Sequence, residues 1–223
     1  MSIVKGTSST SRTTRTMDLP CIYSYLDRAE VCWANALSRV SGADLDSSSG
    51  CQGWSNEQLI NHLIGGGLRY ETLLAQAPPA EVEATRGQNH LGEDRLESFW
   101  THERAFRRIA GECDLNAEVP HRIGPISGHQ LVKMRILELA LHAADLSVGT
   151  GDEWPIDDEL AEFIDTRLGR LIVQLGSAGG YAPPQPGVRA GERAHASRAQ
   201  RVLNISGRGA AVNAVLPPHR GGR

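Results

Sequence analysis

Apolar residues recur at steps of three and four along much of the chain, which predicts a protein built from helices. The first helical segment, 20–40, begins with Pro20 and is followed by Gly42. The second begins after Ser55, where Gln58 three residues later completes a capping box, and it stops at a Pro-Pro pair, 78–79. A third helix is predicted over about 93–113 and a shorter one over about 157–175.

Between these last two segments, residues 131–148 are apolar around almost the whole helical circumference, which predicts a helix buried on most of its surface. Glu138 and His142 interrupt this segment and lie one turn apart on the same face. Buried polar groups of this kind need a partner. They could bind each other, pair with an arginine, or hold a metal ion.

Four long helices, a shorter fifth and no convincing sheet predict an all-α protein. We expect a four-helix bundle with an additional C-terminal helix and an irregular tail. The predicted organisation is a disordered N-terminal extension over 1–16, a helical metal-binding bundle over 17–175, and an irregular, basic C-terminal segment over 176–223 that is partly docked.

The second helix contains His62, followed by three consecutive glycines at 65–67. Three glycines would destabilise a helix by about 3 kcal/mol relative to alanine, so a structural reason for them is expected. Either the helix bends there, or the missing side chains leave an open space beside the imidazole or let another helix pack closely. His62, Glu138 and His142 together supply two nitrogens and one carboxylate, which is a ligand set typical of a catalytic divalent metal.

Charge and cysteine content narrow the range of functions that the protein could have. The net charge of −3 conceals basic ends, with +3 over 1–17 and +6 over 176–223, and an acidic body of −12 over 18–175. An acidic body argues against nucleic acid as the main ligand. Four cysteines without a CxxC motif favour free thiols in a reduced, cytoplasmic protein, and no apolar run is long enough for a membrane span. A homodimer is compatible with the sequence, although no dimer seam is evident.

Two motifs resemble those of a known family. Gly53-Trp54-Ser55, followed by Leu59 and His62-Leu63, resembles the first signature of the DinB-like metalloenzyme superfamily, and more narrowly of the mycothiol-dependent maleylpyruvate isomerase N-terminal domain. Glu138 to Leu146, with His142 and Asp145 inside it, resembles the second signature. The segment 203–208 also resembles a closing segment of the short members of this family.

The resemblance implies a DinB-like bundle that holds a divalent metal, usually zinc, through His62, Glu138 and His142. It also implies mycothiol as the thiol cosubstrate, which would occupy the open position of the metal. Glu138 and Asp145 are the residues on which catalysis is expected to depend, and Asp145 could orient a ligand histidine or form a salt bridge. The cysteines of the protein are not expected to act as the nucleophile.

The expected function is therefore a metal-dependent transferase or isomerase that uses a low-molecular-weight thiol to attack a small electrophile. The family's isomerase has a separate C-terminal domain for its dicarboxylate substrate, whereas only about 48 residues follow the fifth helix here, so maleylpyruvate isomerisation itself is not expected. One alternative is a metal-binding bundle without catalysis, for sequestration or stress response. Another is a structural bundle without metal, in which Glu138 and His142 satisfy each other.

Overall fold

Helices make up nearly all of the regular structure in residues 19–177, 196–209 and 211–212, which are the residues that this computed structural model describes. The extension predicted over 1–16 lies outside them, as do parts of 176–223. The helices are, in chain order, α1 (Leu19–Leu37), α2 (Asn56–Leu74), α3 (Pro79–Ala84), α4 (Arg95–Glu112), α5 (Gly128–Thr150), α6 (Asp158–Phe163), α7 (Gly169–Ser177) and α8 (Arg198–Ile205). A 3₁₀ turn (Gly42–Asp44) follows α1, and a π-helical turn (Ile164–Leu168) joins α6 to α7.

The bundle consists of α1, α2, α4 and α5. Helix α1 packs along α5, and α2 packs on both α4 and α5, so that α2 and α5 are neighbours in the centre. The all-α, DinB-like four-helix bundle predicted from the sequence is confirmed, with α6 and α7 as the additional C-terminal helical segment. No helix of the described part combines the length and the apolar content that crossing a bilayer requires.

Helix α5 is the buried helix that the apolar pattern predicted. Its residues from Leu131 to Ser147 are almost all buried, because α1, α2 and the C-terminal helical segment cover its different faces. The side chain of Ser127 caps its first turn by accepting a hydrogen bond from the backbone of Gln130. It ends at Gly151, whose φ of 77° is a left-handed conformation that glycine adopts without strain.

The predicted capping box at the start of α2 is also confirmed. The side chain of Ser55 accepts a hydrogen bond from the backbone N–H of Gln58, and the Gln58 side chain accepts one from the backbone N–H of Ser55. This reciprocal pair fixes the first turn of the helix that carries His62.

The three glycines of α2 remain helical, and close packing explains them. A Cβ on Gly66 would lie 2.7 Å from Nη1 of Arg135, and one on Gly67 would lie 2.9 Å from Oε1 of Glu103. A Cβ on Gly65 would overlap the ring of His90. Of the explanations open at the sequence level, close packing therefore holds, and the packing groups are largely polar side chains.

Two short elements differ from the sequence expectation. The connector before α5 contains a two-residue antiparallel pair, in which β1 (Glu118–Val119) pairs with β2 (Ile126–Ser127). The C-terminal segment, expected to be irregular, contains α8, which packs on α6, α7 and the π-helical turn. Arg201 of α8 binds Asp165 of that turn through two nitrogens, at 3.0 and 2.8 Å. This docking brings the residues after α8 next to α5.

Candidate functional site

A cavity of about 660 Å³ lies at the junction of α2, α5 and the segment that follows α8. Helix α5 contributes Glu138, His142 and Asp145 to its wall, at the spacing of i, i+4 and i+7 that aligns side chains on one helical face. Helix α2 contributes His62. The structure thus places all four sequence-predicted site residues around one cavity.

Asp145 is the most highly connected of these residues. Its Oδ2 lies 2.8 Å from Nδ1 of His142 and 3.1 Å from Sγ of Cys51. Arg208 donates two hydrogen bonds to the same carboxylate, from Nε to Oδ1 at 2.9 Å and from Nη2 to Oδ2 at 2.8 Å. Both roles considered for Asp145 are present, because it orients a histidine and also forms a salt bridge.

The contact with Asp145 determines how His142 can act. Because Nδ1 faces the carboxylate, Nε2 is the ring nitrogen that remains for a metal or a substrate. The ring of His62 stands edge-on to that of His142, with their centroids 5.5 Å apart. Trp54 in turn packs against His62 at 4.9 Å and keeps 37% of its surface exposed at the cavity wall. The rings of Trp54, His62 and His142 therefore form one continuous wall.

Glu138 and His62 have the protonation states that metal ligands require. Burial by itself would raise the pKa of Glu138, but the nearby His62 and Arg135 lower it below its ordinary value, so that Glu138 is a carboxylate at neutral pH. Burial, which Glu138 partly opposes, lowers the pKa of His62 to about 4. His62 is consequently a neutral imidazole at neutral pH, which is the form that binds metals.

Asp145 is ionised for a different reason. Burial by itself would raise its pKa, but the guanidinium of Arg208 and then His142 hold the pKa well below the usual range. Its carboxylate is nearly inaccessible and already accepts hydrogen bonds from Arg208 on both oxygens. The negative charge of Asp145 is thus neutralised inside the protein.

Behind Glu138 lies a fully buried ion pair that the sequence analysis did not identify. Nε of Arg135 donates to Oε1 of Glu103 at 2.9 Å, and neither side chain has any exposed surface. Nη1 of Arg135 has no hydrogen-bond partner and lies 3.6 Å from Oε2 of Glu138. Arg135 therefore occupies the space left by the glycines of α2 and directs its remaining positive charge toward Glu138.

Cys51 is a second residue that the sequence analysis missed. A loop carries it into the cavity, and this loop is tied to α5 by a 2.7 Å hydrogen bond from the backbone N–H of Gly50 to the carbonyl of Asp145. A Cβ on Gly50 would lie 2.8 Å from the Cα of Asp145, so only glycine permits this approach. Burial, and next the charge of Asp145, raise the pKa of the Cys51 thiol, which therefore stays protonated and donates to Asp145.

Two sets of residues could hold a metal. The tightest group of donor atoms among the described residues is Cys51, His142 and Asp145, all within 4.8 Å of one another. However, Arg208 already occupies the carboxylate of Asp145, and a cation there would face a guanidinium. His62, Glu138 and His142 lie further apart and offer two imidazoles and one ionised carboxylate. Arg135 faces this carboxylate at 3.6 Å but does not form a hydrogen bond with it. This second set is the one that the sequence predicted.

Arg208 could have been found from the sequence, whereas Cys51 gave little signal. Arg208 closes the segment 203–208, which resembled the end of the short family members. Cys51 lies two positions before Gly53, where the first motif begins, but nothing in its neighbourhood distinguishes it from the other cysteines. The three cysteines whose side chains are described, Cys32, Cys51 and Cys113, are all free thiols.

Comparison with known proteins adds independent information. A family model described as the mycothiol maleylpyruvate isomerase N-terminal domain matches residues 26–147. Two relatives are uncharacterised proteins of Mycobacterium tuberculosis, one from strain CDC 1551 / Oshkosh and one from strain ATCC 25618 / H37Rv. Each is 26% identical over 136 residues, which covers 60% of this chain and 70% of the relative. No solved structure matches. The family match includes His62, Glu138, His142 and Asp145 but ends before Arg208.

Proposed function

This chain belongs to the mycothiol maleylpyruvate isomerase N-terminal domain family, and from that premise we propose that it is a divalent-metal-dependent transferase or isomerase that uses a low-molecular-weight thiol. Zinc is the proposed metal and mycothiol the proposed thiol. The other substrate is a small electrophile. The proposed ligands are His62, Glu138 and His142.

The main support for the proposal is that two imidazoles and one carboxylate, from two different helices, lie around a single cavity. Three such ligands leave a position open for substrate, which is characteristic of catalytic rather than structural zinc sites. The cavity of about 660 Å³ is large enough for two small molecules to meet. A metal held there would supply a thiolate at neutral pH, since metal coordination deprotonates a thiol whose ordinary pKa is about 8.5.

The residues of the chain have distinct proposed roles. Glu138 balances the charge of the cation, and Arg135 behind it keeps this carboxylate ionised and fixed in place. Asp145 holds Nδ1 of His142 so that Nε2 serves as the ligand nitrogen, and Arg208 prevents the charge of Asp145 from competing for the metal. Trp54 packs on His62 and restricts the ring to one orientation. Cys51 is a hydrogen-bond donor to Asp145 in this scheme and not a nucleophile.

Metal content tests the ligand set. The purified protein is expected to bind about one equivalent of zinc or another divalent ion, and His62→Ala is expected to lose most of it while its helical circular dichroism stays near that of the parent. His129→Ala is the matched control, because His129 also lies on α5 but does not line the cavity. Equal metal content in His62→Ala and the parent would refute the assignment.

Thiol-dependent turnover tests the chemistry. We would measure consumption of mycothiol, or of N-acetylcysteine as a smaller thiol, on a panel of electrophiles with and without a chelator. The rate is expected to remain nearly flat across neutral pH and to disappear on metal removal. A rate that follows ionisation of the free thiol near pH 8.5, or that survives chelation, would refute thiolate activation by the metal. Metal binding without turnover on any electrophile would instead support the non-catalytic metal-binding alternative.

A further inference from the structure

A second pocket, of about 290 Å³, adjoins the cavity of the proposed metal site. The two cavities are neighbours because Arg86 and Arg122 line both of them. Arg69 of α2 lines the second pocket and lies seven residues after His62, so both side chains project from the same face of the helix. Three arginines therefore converge beside the site, with Glu83 as the single acidic residue of the lining.

Of the three arginines, only Arg86 has an ion-pair partner among the described residues. Arg86 binds Glu83 at 2.9 Å at the protein surface, which neutralises one charge. Among the described residues, no carboxylate oxygen lies within ion-pair distance of Arg69 or Arg122, and Nε of Arg69 is buried without a hydrogen-bond partner. A buried guanidinium nitrogen without an acceptor is costly, and an anionic oxygen in the pocket would satisfy it.

The remaining surface of the pocket is apolar. Leu73 and Val82 belong to its lining, together with Pro79 and Pro120. Such a surface does not suit a small hydrated anion, which would leave the apolar part uncovered. It suits a ligand that has a carboxylate and a short apolar chain.

We propose that the pocket formed by Arg69, Arg86 and Arg122 is a binding site for an organic carboxylate with an apolar stem. Its role as a substrate subsite rests on the proposed function, in which the electrophilic end of such a molecule would extend into the metal cavity. The hairpin of β1 and β2 places Arg122 at the boundary of the two cavities, where it can contact the carboxylate.

The test uses hexanoate as the probe and the full-length protein, with the methyl resonances of Leu73 and Val82 observed by NMR. Hexanoate is expected to shift these resonances in a saturable way, and hexanamide, which has the same shape without the charge, is expected to bind about tenfold more weakly or worse. Arg122→Ala is expected to weaken hexanoate binding by about tenfold, since it removes a charge-assisted hydrogen bond at an exposed position that does not support the fold. Arg104→Ala is the matched control, because it also removes one exposed arginine, whose partners among the described residues are Glu97 and Thr101 on its own helix.

Several results would overturn the proposal. These are equal binding of hexanoate and hexanamide, equal weakening by Arg122→Ala and Arg104→Ala, and equal binding of inorganic phosphate at the same methyl groups. Measuring hexanoate binding in both metal-depleted and zinc-loaded protein separates this proposal from the metal assignment. Binding that requires zinc and ignores Arg122 would place the carboxylate on the metal and reject the subsite. Binding that depends on Arg122 in a protein without metal or turnover would retain the carboxylate site and reject the proposed function.

Discussion

The substitution Asp145→Asn tests the centre of the site, because this residue joins α5, the Cys51 loop and the segment after α8. The carboxylate of Asp145 and the guanidinium of Arg208 form a bidentate pair at 2.8–2.9 Å. The side chain of Asp145 is only 4% exposed and that of Arg208 only 11%. Removing one member of a buried ion pair typically destabilises a protein by about 3–5 kcal/mol. Asparagine keeps the shape and one acceptor oxygen, so we expect a loss of about 3 kcal/mol in the free energy of unfolding.

Urea denaturation followed by circular dichroism measures this loss. With a urea dependence of about 1–3 kcal/mol per molar, the midpoint is expected to fall by about 1–3 M. Asp157→Asn is the matched control, since Asp157 pairs with Arg28 at an exposed position and asparagine remains a good N-cap there. That variant is expected to lose less than about 1 kcal/mol. Arg208→Met, alone and combined with Asp145→Asn, completes a double-mutant cycle.

The same substitution makes a prediction about pH. The carboxyl of Asp145 binds a proton more weakly in the folded chain than in the unfolded chain, whose ordinary pKa is about 3.9. Its contribution to stability is therefore complete above that value and is lost progressively as the pH falls below it. The stability difference between the parent protein and Asp145→Asn is expected to shrink on acidification through that range. A cost below about 0.5 kcal/mol at pH 7, or costs that simply add in the double mutant, would show that the Arg208 pair contributes little.

Three further predictions concern the groups around this centre. Arg135→Met is expected to destabilise the protein by about 3–5 kcal/mol, because it leaves the fully buried Glu103 unpaired, and adding Glu103→Gln should recover part of the loss in urea unfolding. Gly66→Ala is expected to lower the melting temperature, because the alanine Cβ would lie 2.7 Å from Nη1 of Arg135. Alanine is the better helix former, so a rise in melting temperature would contradict the packing described for the glycines. In metal-free protein, the depressed pKa of His62 means that the unfolded chain binds more protons than the folded chain between about pH 6.5 and pH 4. The free energy of unfolding should therefore fall as the pH is lowered through that range. It should fall less steeply in His62→Gln.

Local patterns in the sequence were sufficient to predict the fold class and the helix that organises the site. Helical periodicity and capping signals are local, since they depend on residues three and four apart, and they correctly predicted the bundle and the capping box at Ser55. The nearly continuous apolar surface of α5 made Glu138, His142 and Asp145 conspicuous, because polar groups inside a buried helix require partners. His62 was recognisable only together with the glycines and the family motif.

Contacts between segments that are distant in the chain determine which polar residues meet these groups. Cys51 and Arg208 reach Asp145 from 94 and 63 residues away in the chain, and neither contact follows from local periodicity. Glu103 lies on a mostly polar helix and is indistinguishable in the sequence from its solvated neighbours, yet packing over the glycines buries it with Arg135. Most charged side chains are solvated, and only the packing of helices distant in the chain determines which of them is instead buried with a partner.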